Sequence, residues 1–325
     1  MIVLLHPAPA YGAVERYVES IARGLREETV LLHTGVEEFE SLPVRAIRID
    51  PAVAGMARFL RASRPRLVHV TDVWPQALVA ARLAWVPRIL VTHHTPELPR
   101  RDNLAGRLWQ KLGWATKPEV IYTSEADRER DGRKPSHVVA LGIDVERFAS
   151  GRRALEKRDG RPLVGNVARL AEQKDHRTLL AAAALVPEAD FAIAGDGELR
   201  GELERTAGAN VRFLGARTDV PDVLASLDVF AFPSLFEGLC LAVIEAQAAG
   251  VPVVATAVGG IKETVVNDET GLLVPPSDPQ ALAGAIRRLL DHPDDAARLA
   301  TAARRRALER YSEEQMVSGT LALYG

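Results

Sequence analysis

Only one cysteine, Cys240, occurs in the 325-residue chain. An intrachain disulfide is therefore excluded, a cysteine-based metal site is disfavoured, and a reducing cytoplasm is the expected setting. No run approaches the roughly eighteen consecutive apolar residues of a membrane span. The opening MIVLLHPAPA lacks the basic n-region of a secretory signal and goes straight into a strand-like run, so neither a span nor secretion is expected. A surplus of either charge is missing as well: 41 Lys/Arg against 43 Asp/Glu leave a formal charge of -2, without the basic stripe of a nucleic-acid binder. The P-loop pattern G-x-x-x-x-G-K-S/T is absent, which disfavours nucleotide triphosphate hydrolysis.

What is present is a soluble globular composition, 47% apolar and 26% charged, in a chain long enough for two domains. Short, continuously apolar runs alternate with helix-length amphipathic segments. In the first half these runs are IVLLH (2–6), TVLLH (29–33), VRAIRI (44–49), LVHVT (67–71), RILVTHH (88–94), VIYTS (120–124) and HVVAL (137–141). The second half repeats the pattern with LVGNVAR, DFAIAG, VRFLG, VFAFPS, PVVATAV and GLLVPP. Continuous rather than alternating apolar strands indicate parallel sheet covered on both faces. The reading is α/β: two Rossmann-like, doubly wound domains in tandem, facing across a cleft. Residues 1–148 form the first domain, the polar stretch 149–162 a linker and 163–310 the second domain. A final helical segment over 311–325 is expected to pack back on the first domain. Ligands of such sheets bind at the carboxyl ends of the strands, so functional residues are sought just after them.

Three strand ends carry unusual residues. After LVGNVAR, Arg169 and Lys174 place two permanent cations at the opening of a helix that runs to about 186. That pair suits a diphosphate, with a solvated surface pair as the bland alternative. After FAIAG, the glycines of AGDGELRG imitate a dinucleotide fingerprint, but the spacing is one residue too long and the motif is weak. After VFAFPS, Glu237 stands at a helix start, and Glu245 lies further along a helix that is otherwise apolar except for Gln247. A carboxylate in such a helix needs a partner: an arginine, a backbone donor, or a ligand diol such as a ribose.

With these residues on the page, the chain resembles the retaining GT4 glycosyltransferases (glycosyl transferases group 1), which have the two-domain GT-B fold. The resemblance rests on Arg169 and Lys174, the Glu237-x7-Glu245 pair, and the runs EAQAAGVPVVAT, VGGIKETV and TGLLVPPSDPQALAGAI. It extends more loosely through HVT (69–71), VTHH (91–94), YTSEADR (122–128) and LGIDVERF (141–148). It implies that Arg169 and Lys174 bind the donor's diphosphate, Glu237 lies by the donor sugar and Glu245 holds the ribose. It also implies that Gly238, Leu239, Cys240 and Leu241 offer backbone N–H groups to sugar and phosphate. His94 takes the place of the family's histidine near the reaction centre, and Gly12 that of a glycine loop near the donor phosphates. No cofactor or metal is implied beyond a nucleotide-diphosphate sugar as co-substrate, UDP being the most frequent base, and the lack of a D-x-D motif agrees. Departures are Tyr11-Gly12 for a glycine pair, Leu141-Gly142 for Asn-Gly, Cys240 for a glycine, and a short first domain, which leaves the acceptor pocket less defined than the donor pocket.

The expected function is a metal-independent, retaining transfer of a sugar from a nucleotide-diphosphate sugar to the hydroxyl of an acceptor carbohydrate or glycolipid. The rival readings are a GT-B sugar-nucleotide epimerase and a non-catalytic sugar-nucleotide-binding subunit. The segment PRRDNLAGRLWQKLGWATK (99–117) interleaves basic residues with Leu104, Leu108, Trp109, Leu112 and Trp114. Such a helix either packs its apolar stripe on the sheet or lies in a membrane interface, which would make the protein peripheral at the inner face of the membrane.

Overall fold

The central strands are built from the aliphatic runs and are buried: β1 (Ile2–His6) and β2 (Thr29–His33) are buried at every position. A strand buried on both faces needs helices on both sides, and the chain supplies them between strands. The computed structural model describes residues 1–7, 13–35, 39, 41–94 and 104–325. They form two units, Met1–Gly142 with Glu314–Gly325, and Ile143–Glu313.

In the first unit, α1 (Ala13–Gly24) follows β1; after β2 come β3 (Arg45–Arg48), α2 (Val53–Ser63), β4 (Leu67–Val70) and α3 (Pro75–Leu83). They are followed by β5 (Arg88–His93), α4 (Leu104–Ala115), β6 (Glu119–Tyr122), α5 (Glu125–Asp131) and β7 (Ser136–Val138). The sheet order is β3-β2-β1-β4-β5-β6-β7, with every pairing parallel. Strand order therefore reverses between β1 and β4. In the YTSEADR stretch Ser124 caps α5, accepting the Asp127 N–H at 3.1 Å.

The second unit runs α6 (Val145–Ala149), β8 (Leu163–Val167), α7 (His176–Leu185), β9 (Asp190–Ala194), α8 (Arg200–Thr206) and β10 (Val211–Gly215). It continues with α9 (Val220–Ala225), β11 (Val229–Phe232), α10 (Leu241–Ala248), β12 (Val253–Thr256), α11 (Ile261–Thr264) and β13 (Leu272–Val274). Two long helices follow, α12 (Pro279–Asp291) and α13 (Pro293–Arg310). Its parallel sheet has the order β10-β9-β8-β11-β12-β13, reversing between β8 and β11. The SDPQAL stretch starts α12 by local rules: Asp278 accepts the Ala281 N–H at 2.9 Å and Pro279 occupies the first helical turn.

Two boundaries differ from the sequence reading. The first unit closes at Gly142, and 149–162 is strapped along the second unit. Arg152 N–H donates to Asp222, the Ala154 and Leu155 N–H groups donate to Ser226 Oγ, and Lys157 pairs with Asp228 at 2.7 Å. The polar composition that suggested a linker supplies these anchors. At the other end, α14 (Glu313–Ala322) belongs to the first unit from Glu314 onward. A Cβ on Gly24 would come within 2.5 Å of Val317, and the Tyr324 hydroxyl sits 2.5 Å from His69 Nδ1 inside that unit's core.

Helix α4 does not pack its leucines on the sheet. Its buried positions are Gly106 and Gly113, the latter so close that a Cβ would lie 2.8 Å from Pro75 Cα. Leu104, Leu108 and Leu112 are 84%, 56% and 44% exposed. The glycines let α4 approach α3 by its backbone, and the one-turn spacing of the leucines turns them to the other face.

Candidate functional site

The reversal between β8 and β11 is where an open α/β sheet accepts ligands. The loops leaving these two strands carry Arg169, Lys174 and Glu237. Lys174 Nζ donates to Glu237 Oε1 at 2.5 Å, Ser234 Oγ donates to the same oxygen at 2.6 Å, and the ammonium lies 5.2 Å above the Phe232 ring. Both charges are largely withdrawn from solvent, with side-chain exposures of 19% and 8%. Desolvated charges are kept only when paired, so this contact is strongly specified. Arg169 is different: it is exposed, and its guanidinium has no partner among the described residues.

The loops are clasped backbone to backbone. Leu235 N–H donates to Gln173 O, Gln173 Nε2 donates to Phe236 O, and Gly260 N–H donates to Glu237 O. A Cβ on Gly259 would fall 1.9 Å from Glu237 O, and one on Gly195, which has φ 136°, would fall 1.9 Å from Ala168 O. Only glycine allows these approaches. The AGDG glycines thus hold the Arg169 loop in place, which accounts for their off-register spacing as a nucleotide fingerprint.

Local starts differ from the sequence reading. Lys174 ends a short 3-10 turn over Glu172–Lys174, and α7 begins at His176 behind an Asp175 cap. Glu237 precedes its helix: α10 starts at Leu241 with Cys240 at the N-cap, so 237–240 is loop. Gly238 is half-buried and Leu239 nearly enclosed in this loop, before the open first turn of α10 at Leu241. The Cys240 thiol is buried and its pKa is pushed up by that burial and by the nearby Glu237 carboxylate, so only its backbone is available.

Glu245 is half-buried, two turns from the loop's far end, rather than enclosed. The enclosed polar group of α10 is Gln247, whose Nε2 donates to Thr264 O at 3.0 Å. Helix α10 packs on α6 and α13 and leaves the side carrying Glu245 partly open.

Beside Arg169 a pocket of about 410 Å³ opens between the ends of β8, β9 and β10, lined also by Asp196, Ala216 and Arg217. The sequence reading missed this pocket. Its signal was Ala216-Arg217 directly after VRFLG, a strand end given no role. Ser234 was likewise missed, because its importance comes from a partner placed by folding. Behind the cations, Asn166 and His176 form a buried pair: His176 Nε2 and Asn166 Oδ1 are 3.0 Å apart, and Asn166 Nδ2 donates to Ala231 O. Burial first, then Lys174, lowers the His176 pKa to about 4.

His94 lies in the first unit, directly after β5. Its Nε2 donates to Thr71 O at 2.8 Å, which leaves Nδ1 a bare acceptor, buried and without a partner. Burial lowers its pKa to about 4 against the stabilising bond to Thr71, so the ring is neutral at pH 7. Tyr17 meets it edge-on, whereas His93 turns to Trp114 and Tyr122, so the two histidines do not form a ligand pair. Gly12 lies outside the described residues.

Residues 161–292 match the family of glycosyl transferases group 1. The chain is 33% identical to the GDP-mannose-dependent alpha-mannosyltransferase of Mycobacterium tuberculosis over 78% of this chain and 71% of that one. It is 28% identical to the GDP-mannose-dependent monoacylated alpha-(1-6)-phosphatidylinositol monomannoside mannosyltransferase of Corynebacterium glutamicum, over 95% of this chain and 93% of the other. Among solved structures, Anabaena HepE in complex with UDP is similar with a TM-score of 0.83 at 21% identity, covering 99% of both chains. That likeness gives the fold, two parallel-sheet Rossmann-like units of the GT-B kind. The sequence likeness reaches further, since it runs through both units and includes the loops of Arg169, Lys174 and Glu237: the chain belongs to the glycosyl transferases group 1 and is an enzyme that moves a sugar from a nucleotide sugar to an acceptor.

Proposed function

We propose that the enzyme is a retaining, metal-independent glycosyltransferase that takes a UDP-sugar and delivers the sugar to a hydroxyl of a carbohydrate or glycolipid. The observation that carries this reading is the Lys174–Glu237 pair at the strand reversal, next to an unpaired Arg169 and the 410 Å³ pocket. Arg169 and Lys174 would hold the diphosphate, assisted by N–H groups of Gly238 to Leu241, and stabilise it as charge develops on departure. Fixed cations and N–H dipoles can carry that charge without a metal. The pocket beside Arg169 suits the base and Glu245 the ribose diol. Glu237 would face the sugar.

In the proposed reaction the bond from the anomeric carbon to the diphosphate oxygen breaks, and the acceptor oxygen attaches on the face just vacated. The acceptor's proton passes to the departing phosphate oxygen. No side chain is assigned as a covalent nucleophile. His94, neutral and with an unpartnered, buried Nδ1, would accept a hydroxyl hydrogen bond from an acceptor that reaches it. Because Lys174 is already paired, an arriving phosphate must share or exchange its partner, which ties the freedom of the Glu237 carboxylate to donor binding.

HepE, crystallised with UDP, supports uridine, while the mycobacterial and corynebacterial relatives are named GDP-mannose-dependent. A thermal-shift panel of UDP, GDP, ADP and NAD decides. Ligand at about 100 times its dissociation constant stabilises by about 2.7 kcal/mol. UDP should raise the melting temperature, and Glu245→Ala should abolish the response. A response to GDP alone would replace the base, and a response to NAD alone would remove the reading.

The leucine face of α4 supports peripheral membrane contact. Arg107 and Lys111 are exposed beside Leu104, Leu108 and Leu112, and the helix contains no acidic residue. An apolar ridge flanked by cations fits an anionic lipid surface. Among the described residues no helix is long and apolar enough to span a membrane. Co-flotation with vesicles containing anionic lipid, lost in a Leu104→Ser/Leu108→Ser variant and with purely zwitterionic vesicles, is expected. Equal flotation of variant and wild type would refute the docking.

A further inference from the structure

The first unit has its own strand reversal, between β1 and β4, and a pocket of about 960 Å³ opens there. It lies where this kind of sheet takes ligands, yet its lining is chemically unlike that of the second unit. Glu15, Asp50 and Asp72 are among its lining residues, with the largely buried Trp74 and with Gln76. Among the described residues no lysine or arginine lines it.

Among the described residues the carboxylates have no lysine or arginine beside them in the pocket. Glu15 Oε1 is 3.2 Å from His6 Nε2, and His6 Nδ1 is 2.7 Å from the Thr71 hydroxyl. That geometry fits an imidazole donating from Nε2 to Glu15, and burial lowers the His6 pKa, which favours the neutral ring. Asp72 Oδ1 accepts its neighbour's N–H, from Val73 at 2.7 Å, while burial pushes the carboxyl above its usual range. Among the described residues the pocket therefore offers carboxylate acceptors and no lysine or arginine to neutralise an anion.

Resting on the glycosyltransferase reading, we propose that this pocket binds the acceptor, and that the part bound is a polyhydroxylated ring that is uncharged or amine-bearing, not phosphorylated. Ring hydroxyls donate to carboxylates, and an ammonium supplies the missing positive charge. A phosphate would be placed against two or three carboxylates at short range, where like charges repel.

Three cyclohexane polyols of matched shape test this: 2-deoxystreptamine, myo-inositol and myo-inositol 1-phosphate. They are titrated into the full chain while the indole resonance of Trp74, assigned with Trp74→Phe, reports the site. The expected order of affinity is amine, neutral, phosphate, with the amine favoured over the phosphate by at least about tenfold, equivalent to about 1.4 kcal/mol. The Glu15→Gln/Asp72→Asn pair should reduce that ratio. Asp50→Lys, at an exposed position, should shift it toward the phosphate even if the first pair folds poorly. Tighter binding of the phosphate, an unchanged ratio in Asp50→Lys, or a Trp74 resonance that none of the three moves would overturn the proposal. Nucleoside diphosphate binding is measured on the same samples. A chain that binds a nucleotide but none of the rings loses only this inference, and one that binds no nucleotide loses the donor reading.

Discussion

The two units share one architecture and fasten their strand ends by different means. In the second unit the loops after β8, β9 and β11 are locked where backbone touches backbone, at Gly195, Gly197, Gly259 and Gly260. In the first, side chains do it: His6 to Thr71, His69 to Thr92, and His94 to the Thr71 carbonyl. The charges also differ, with Arg169, Lys174 and Arg217 beside Asp196 and Glu237 at one set of strand ends, and Glu15, Asp50 and Asp72 without a lysine or arginine among the described lining residues at the other. A doubly wound sheet provides a place for a ligand, and the residues after its strands decide which ligand. Glycine contacts fail when a Cβ is added. Histidine contacts fail when a proton is added.

The largest expected effect is therefore acid sensitivity greater in the first unit than in the second. Burial lowers the pKa of His69 to about 3 and of His93 and His94 to about 4, and that of His6 in the same direction. The unfolded chain binds protons at these groups below about pH 6.5 while the folded one does not, so stability is full above that pH. It then falls by up to about 1.4 kcal/mol per pH unit per histidine toward pH 4. Asp72, shifted upward, opposes this in the carboxylate range. The second unit has only His176 of this kind among the described residues. Hydrogen exchange, corrected for intrinsic rates, should show β4 and β5 losing protection at a higher pH than β8 and β9. The reverse order breaks the comparison.

Next in size, Lys174→Ala should lower the transfer rate by about 100-fold or more, the scale of losing one transition-state charge contact. A variant that keeps the rate would show that the cation is only structural. Gly195→Ala should destabilise by about 2 kcal/mol or more through its positive φ and its contact with Ala168 O. Donor affinity should fall with it, because Arg169 follows Ala168. Urea unfolding and nucleotide titration read both. The smallest effect is at Cys240: its buried, raised-pKa thiol should not react with a thiol reagent in the folded protein and should react fully in denaturant. Rapid native labelling would mean that the donor-site loop opens.

Much of this was legible in the sequence. Every strand was read within two or three residues, because a strand covered on both faces must be apolar throughout, and Arg169, Lys174 and Glu237 stood out as charges at strand ends. The contact between Lys174 and Glu237 was not legible, since 63 residues separate them and only the sheet order brings them together. Glu245 looked buried because an eight-residue helix offers too few turns to show which side is open. In α4 the leucines looked like the core face, and the real contact was made by glycines, which carry no hydropathy signal. The acidic pocket was missed because its residues come from four separate strand ends and helix starts, each ordinary alone.

The return of α14 to the first unit has a consequence for biosynthesis. Residues 314–325 complete a core begun by Ile2, and Tyr324 fills the place beside His69 that no earlier residue occupies. On the ribosome the second unit, 143–313, has all of its own parts before the first does. The half that is translated first is finished last.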